Sequence, residues 1–206
     1  MAIFYLVRHG VTEWNRQRRI QGQLDIALTK EGREQARRAG QALMGKGIEY
    51  IYTSDLGRAR ETAQLIAEKL QLPIAGTRRE LREIDFGRWE GMTLDEIKEK
   101  EPEAYALRQE NMIDTPTPGG ESFRMMAERS LGCIQDLAAR HPHDKIAVVT
   151  HGGPIIYILG AIEEENIQSR PLYKIANCSI TIIGYNHDGD GWQVLKVNDT
   201  RHLDTP

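Results

Sequence analysis

Three short apolar runs each stop at a polar cluster, and a helical pattern follows each of them: "IFYLV" (Ile3 to Val7), "EYIYTS" (Glu49 to Ser54) and "KIAVVT" (Lys145 to Thr150). A run too short for a helix, apolar on both faces and closed by turn residues, reads as a strand buried on both sides. Strands of that kind alternating with helices build a largely parallel sheet covered on both faces.

The helices have their own signals. "TKEGREQARRAGQALMGKG" offers Thr29 as N-cap, Glu31 in the first turn, and Ala36, Ala39, Gly40 and Leu43 along one face, with Gly45 or Gly47 ending it. "DLGRARETAQLIAEKLQL" spaces Leu56, Ala63, Ile66 and Leu70 as one buried stripe, with Ser54 as the expected N-cap, and a further apolar helix starts near Pro154. "CSITIIGYN" and "WQVLKVND" bracket Asp188, Gly189, Asp190 and Gly191 as a terminal hairpin, which makes the sheet mixed. Between Leu94 and Arg140 the pattern is helical, broken by the loop "DTPTPGGES". The expectation is one α/β domain over residues 1–206: a three-layer α/β/α sandwich with a largely parallel, mixed central sheet and a helical insertion at about 94–140 over the active site. A chain of 206 residues can bury such a core without staples.

Charge narrows the partners. With a net charge of -3, the chain does not read as a general binder of nucleic acid or anionic membrane, so an anionic ligand needs a focused site. Cys133 and Cys178 stand far apart without metal-binding spacing, so neither a disulfide framework nor structural zinc is expected. Met1 to Val7 is too short for a signal peptide, so no leader is expected, and no apolar run nears the ~18 residues of a membrane span. A cytoplasmic location is expected.

Ligands of open α/β sheets bind outside the carboxyl ends of the strands. Parallel strands here would bring Arg8 and His9, Ser54 with Arg58 one helical turn on, and Thr150 with His151 into one crevice. Two guanidinium forks suit a phosphate monoester. A neutral imidazole can attack phosphorus and form a phosphohistidine, while a second histidine neutralises charge on the equatorial oxygens. Glycines beside the histidines, Gly10 and Gly152, permit close backbone approach and unusual φ angles. The leaving alkoxide needs a proton and the later water a base; Glu83, in "LREIDFGRWEG", is the candidate by context. The scheme calls for no cofactor and no metal. Singly, each residue has an ordinary reading as a bonded strand-end histidine, a solvated arginine or a surface carboxylate; three matching strand ends outweigh those readings.

"LVRHGVTEWN", "QGQLDIALTKEGREQA", "TSDLGRARETA", "LREIDFGRWEG", "PGGES" and "VVTHGG" resemble, in that order, the motifs of the histidine phosphatase superfamily, also called phosphoglycerate mutase-like proteins. The resemblance implies that His9 is the phosphorylated nucleophile, that Arg8, Arg58 and His151 form the phosphate pocket, and that Glu83 is the proton donor. It also implies that Asn15 touches the phosphate, that Gln21 and Gly22 line the substrate side, and that Gly152 follows the second histidine. Mutases of the superfamily usually carry Arg-His-Tyr-Gly where Ile84, Asp85, Phe86 and Gly87 stand here, and "FGRWEG" resembles the smaller phosphatases, including α-ribazole phosphatase and broad-specificity phosphatase. A metal-independent phosphomonoester hydrolase acting on a small phosphorylated metabolite is therefore expected. A phosphoglycerate mutase is the alternative, and a noncatalytic phospho-ligand-binding module the third reading. Arg16, Arg18, Arg19, Arg79 and Arg82 are nearby cations for an acidic substrate, and Trp14, Phe86, Trp89 and Met112 are apolar lining candidates, although solvation and core packing are their ordinary roles. A homodimer is left open.

Overall fold

Side chains alternate across each buried strand, and that alternation builds two helical layers. In β1 (Ala2–Arg8), Phe4 and Leu6 join one core cluster while Tyr5 and Val7 join the other. β4 (Lys145–Thr150) divides in the same way, with Ile146 and Val148 on the first side and Ala147 and Val149 on the second. The computed structural model describes residues 1–164, 173–187, 189 and 191–204.

β2 (Tyr50–Ser54), β3 (Ile74–Arg78), β5 (Ile180–Asn186) and β6 (Gly191–Asp199) complete a six-stranded sheet in the order β3-β2-β4-β1-β5-β6. β3, β2, β4 and β1 pair in parallel, whereas β5 runs antiparallel to both β1 and β6. The sheet is thus mixed and largely parallel, within a three-layer α/β/α fold.

One layer consists of α2 (Lys30–Leu43) and α3 (Gly57–Leu70), which bury Ala36, Ala39, Leu43, Ala59, Ala63 and Ile66. Thr29 caps α2 by accepting from Gly32 N, as its position before the apolar stripe implied. The other layer is α6 (Phe123–Arg140) and α7 (Gly152–Glu164), with Ile134, Leu137, Ile155 and Ile158 packed on Phe4, Leu6 and Val148. α1 (Glu13–Arg16) follows β1, while α4 (Leu94–Lys100) and α5 (Pro102–Glu110) precede α6. No helix among the described residues is long and apolar enough to cross a membrane.

Three expectations change, and one strand that was not expected is added. Ser54 does not cap α3: the helix starts at Gly57, its N-cap is Leu56, and the Ser54 hydroxyl turns instead to His151. β3 carries Gly76 and polar Thr77 on a half-exposed edge strand, so it lacks the apolar periodicity that marks the buried strands. Of the stretch read as an insertion, α6 belongs to the layer that covers the sheet, because Ile134 and Leu137 are fully buried in its core. Finally, Gly10 does not adopt a left-handed φ. It is required by crowding, since a Cβ there would lie 2.4 Å from the Gly32 carbonyl oxygen. Asp188 and Asp190, assigned to the hairpin turn from sequence, lie outside the described residues.

The two helical glycines Gly32 and Gly132 therefore respond oppositely to the same change. A Cβ at Gly32 meets the Val11 carbonyl oxygen at 2.3 Å, whereas one at Gly132 in α6 meets nothing within 4 Å. Gly32→Ala should destabilise the protein by about 1–3 kcal/mol despite alanine's better helix propensity, and Gly132→Ala should stabilise it by up to ~1 kcal/mol. Urea unfolding of the two variants checks both signs.

Candidate active site

The parallel register of β1 on β4 pairs Arg8 with Thr150, so the next residue of each strand, His9 and His151, leaves the sheet side by side. His9 N donates to Thr150 O at 2.9 Å, and the two imidazole centroids are 5.1 Å apart. Both rings are buried, at 2% and 0% exposure. On the far side of β4, β2 ends at Ser54, whose hydroxyl lies 2.9 Å from His151 Nε2.

The tautomer of His9 follows from its partner. Nδ1 is 2.8 Å from the Gly10 carbonyl oxygen, which can only accept, so Nδ1 carries the hydrogen and Nε2 keeps its lone pair. Burial, then the charges of Arg58 and Arg8, hold His9 well below the ordinary imidazole value, against a smaller upward pull from the Gly10 bond. His151 is held down in the same direction by burial, Arg58, His9 and Arg8. Both imidazoles are neutral near pH 7.

Arg58 is buried and Arg8 partly so, and neither cation has a direct carboxylate partner among the described residues, an arrangement that needs other compensation. Main-chain carbonyls supply part of it: Arg58 donates to Leu24 O and Gly22 O, each at 2.6 Å, and Arg8 Nη1 donates to Ile175 O at 2.6 Å. Burial pushes Arg58 down to about 10, with Glu83 and Asp25 pulling it upward, and Glu83 likewise opposes the lowering of Arg8. Arg8 Nε, Arg58 Nε and His151 Nδ1 are buried without a hydrogen-bond partner among the described residues. Three donor-capable atoms, from the ends of β1 and β4 and the first turn of α3, are thus left unpartnered.

Glu83 reaches the same place from a loop. Its Oε2 accepts from Gly153 N at 3.2 Å, at the start of α7, and its Oε1 accepts from Ile84 N at 3.1 Å. Gly153, not singled out from sequence, makes this close approach possible: a Cβ there would lie 2.2 Å from Glu83 Oε1 and push the carboxyl from its place. At Gly152 the nearest atom, Arg8 Nε, is an ordinary 3.5 Å away. Gly22 is needed on two counts, a φ of +51 and a Cβ position 1.9 Å from Glu90 Oε1.

Asn15 and Gln21 form one polar chain with Thr12. Asn15 Oδ1 accepts from Thr12 N at 3.0 Å in a capping box, and Thr12 Oγ1 donates to Gln21 Oε1 at 2.9 Å. Asn177, given no role from sequence, donates Nδ2 to His9 O at 2.9 Å and to Asn15 Oδ1 at 3.3 Å. Several nearby cations are already occupied: Arg16 pairs with Glu31, Arg19 with Glu96 and Arg82 with Asp55. Trp89 is core, at 3% exposure.

A three-layer α/β sandwich with two histidines and two arginines at adjacent strand ends defines a class, and comparison with known proteins gives its name. Residues 4–200 match the family model described as histidine phosphatase superfamily (branch 1), and the chain belongs to that superfamily. It is 38% identical to "Phosphoglycerate mutase-like protein 4" of Arabidopsis thaliana over 98% of this chain and 87% of that protein. Among solved structures it resembles Bacillus stearothermophilus YhfR, with a TM-score of 0.89 and 33% identity over 99% of this chain and 100% of the other. It also resembles a mycobacterial glucosyl-3-phosphoglycerate phosphatase in complex with VO3, with a TM-score of 0.84 and 31% identity over 96% and 99% of the two chains.

The buried imidazoles give stability a pH dependence of known sign. Their folded values lie below the unfolded one, so below about pH 6.5 the unfolded chain takes up protons that the folded protein refuses. This contribution is complete above that pH and is lost as pH falls toward the folded values, by up to ~1.4 kcal/mol per pH unit for each imidazole. Urea unfolding from about pH 7.5 to about pH 5.5 should show the fall, and His9→Asn should show a shallower one. Equal slopes in the two proteins would mean that His9 does not contribute.

Proposed function

We propose that this protein is a metal-independent phosphomonoester hydrolase that works through a covalent phosphohistidine on His9. The observation that carries the reading is the fixed tautomer of His9: a buried, neutral imidazole with its Nε2 lone pair free, next to two guanidinium groups with unpartnered Nε atoms.

In this scheme Arg8, Arg58 and His151 bind the phosphoryl oxygens. With the Ser54 hydroxyl donating to Nε2, His151 carries its hydrogen on Nδ1, the atom without another partner, and can donate it to an equatorial oxygen. Asn15 would add its amide NH2 to the same anion, and Gln21 and Gly22 would line the substrate side. His9 Nε2 attacks phosphorus as the P–O bond to the leaving group breaks, and Glu83 in its acid form gives the leaving oxygen its proton. Glu83 carboxylate then takes a proton from water, whose oxygen bonds to phosphorus as the P–N bond breaks, releasing phosphate and restoring His9. The two arginines supply the cationic charge that a metal ion would otherwise bring.

Water as final acceptor is favoured over an organic hydroxyl by the surroundings. Next to Glu83 in the chain stand buried Ile84 and partly buried Phe86, and Arg16, Arg19 and Arg82 are each engaged with a carboxylate, so these offer no unpaired charge to a second anionic group. The mutase reading is kept as the alternative because the Arabidopsis relative is named phosphoglycerate mutase-like. A small phosphorylated metabolite is the substrate class that a buried pocket of this kind suits.

Incubation with 3-phosphoglycerate separates the two: inorganic phosphate should form, and predominant 2-phosphoglycerate would overturn hydrolysis in favour of isomerisation. His9→Ala should abolish turnover and leave no trapped phosphoenzyme, Glu83→Gln should lower kcat on alkyl phosphates by roughly 10²–10⁴-fold, and a chelator should leave activity unchanged.

A further inference from the structure

Arg129 lies on α6, outside the phosphate pocket, yet every N–H of its guanidinium is used. Nε and Nη2 hold the two oxygens of Glu121, each at 2.8 Å. Nη1 donates to the carbonyls of Glu80 and Arg82, both at 2.7 Å, and Nη2 also donates to the Glu83 carbonyl at 2.8 Å. A guanidinium has five N–H groups in a rigid fork, so none is left over.

Three of these acceptors belong to the main chain that leads into Glu83. Glu121 secures the other end of the same segment: its Oε2 accepts from Asp85 N at 3.0 Å, and its own N–H donates to Asp85 O at 2.7 Å. Gly120 makes that approach possible, because a Cβ there would sit 2.3 Å from Asp85 O. The "PGGES" stretch, which the phosphate pocket does not use, thus becomes the far half of a bracket around Glu83. The Arg129–Glu121 pair is four-fifths buried, with side-chain exposures of 20% and 18%, so water screens it less than a surface pair. Burial alone would raise Glu121, but the Arg129 hydrogen bonds and the Asp85 N–H outweigh it and hold the carboxyl below its ordinary value.

We infer that Arg129, acting with Glu121, is the positioning residue for Glu83: it fixes the 80–85 backbone so that the Glu83 carboxyl stays against Gly153 N, where it can pass a proton to the leaving group. The inference rests on the reading of Glu83 as proton donor. Lysine cannot replace the fork, having three donors about a single point and no planar geometry to reach three carbonyls and a carboxylate.

A series of aryl and alkyl phosphates tests this, because a stable phenolate leaves without a proton and an alkoxide does not. Arg129→Lys keeps the charge, and Glu121→Gln keeps the shape should the first variant fail to fold; circular dichroism confirms the fold of each. Both should steepen the dependence of log kcat/KM on leaving-group pKa in the same sense as Glu83→Gln. Alkyl phosphates should lose about tenfold or more while p-nitrophenyl phosphate loses less than about threefold. A uniform loss across the series in both variants, with Glu83→Gln steepened, would overturn the inference and leave Arg129 a structural residue. A wild-type slope in Glu83→Gln would instead overturn the proton-donor reading, and the inference with it.

Discussion

The parallel pairing of β1 with β4 is the constraint on which the site depends. Because Arg8 faces Thr150 and His9 N bonds to Thr150 O, the two histidines emerge one residue beyond matched positions of adjacent strands. A one-residue slip would turn every inward side chain of β1 to the other layer, exchanging Phe4 and Leu6 for Tyr5 and Val7. The hydrophobic pattern that stabilises the sheet therefore also sets the spacing of the imidazoles. Packing and chemistry share one register.

That arrangement places two cations in one crevice, and among the described residues no carboxylate contacts either of them. Loop carbonyls from Gly22, Leu24 and Ile175 receive the guanidinium hydrogens, and Glu83 acts from nearby through its charge. A carboxylate in direct contact would occupy the same donors that an anionic ligand needs. Carbonyls satisfy part of each fork and leave the Nε atoms available. The cost appears in the lowered pKa of both arginines and both histidines, all pushed first by burial.

Much of this was legible because the buried strands are short and apolar and end abruptly. Arg8, His9, His151 and Arg58 could be placed in one crevice from strand order alone, and Thr29 from its position before an amphipathic stripe. What stayed hidden depends on contacts between distant segments. Ser54 sits where an N-cap is expected, but its hydroxyl bonds to a ring 97 residues away. Asn177, Gly153 and Arg129 carry no local signature, since their neighbours decide what each one does. β3 escaped notice for a different reason: an edge strand half in solvent need not be apolar, so it left no periodic trace. Of the two properties expected of Gly10, close backbone approach holds, since room for Gly32 matters there, and an unusual φ does not.

The bond that fixes the tautomer of His9 comes from the carbonyl of the next residue and not from a side chain. No single replacement elsewhere removes that acceptor, since every amino acid at position 10 would still present a carbonyl. Which nitrogen of His9 keeps its lone pair is in this sense written into the path of the main chain, a path that the close approach of Gly10 to Gly32 holds. Drift in the surrounding loops can change the lining of the crevice while the lone pair stays on the same nitrogen. A scaffold with that separation can change substrate without having to rediscover its chemistry.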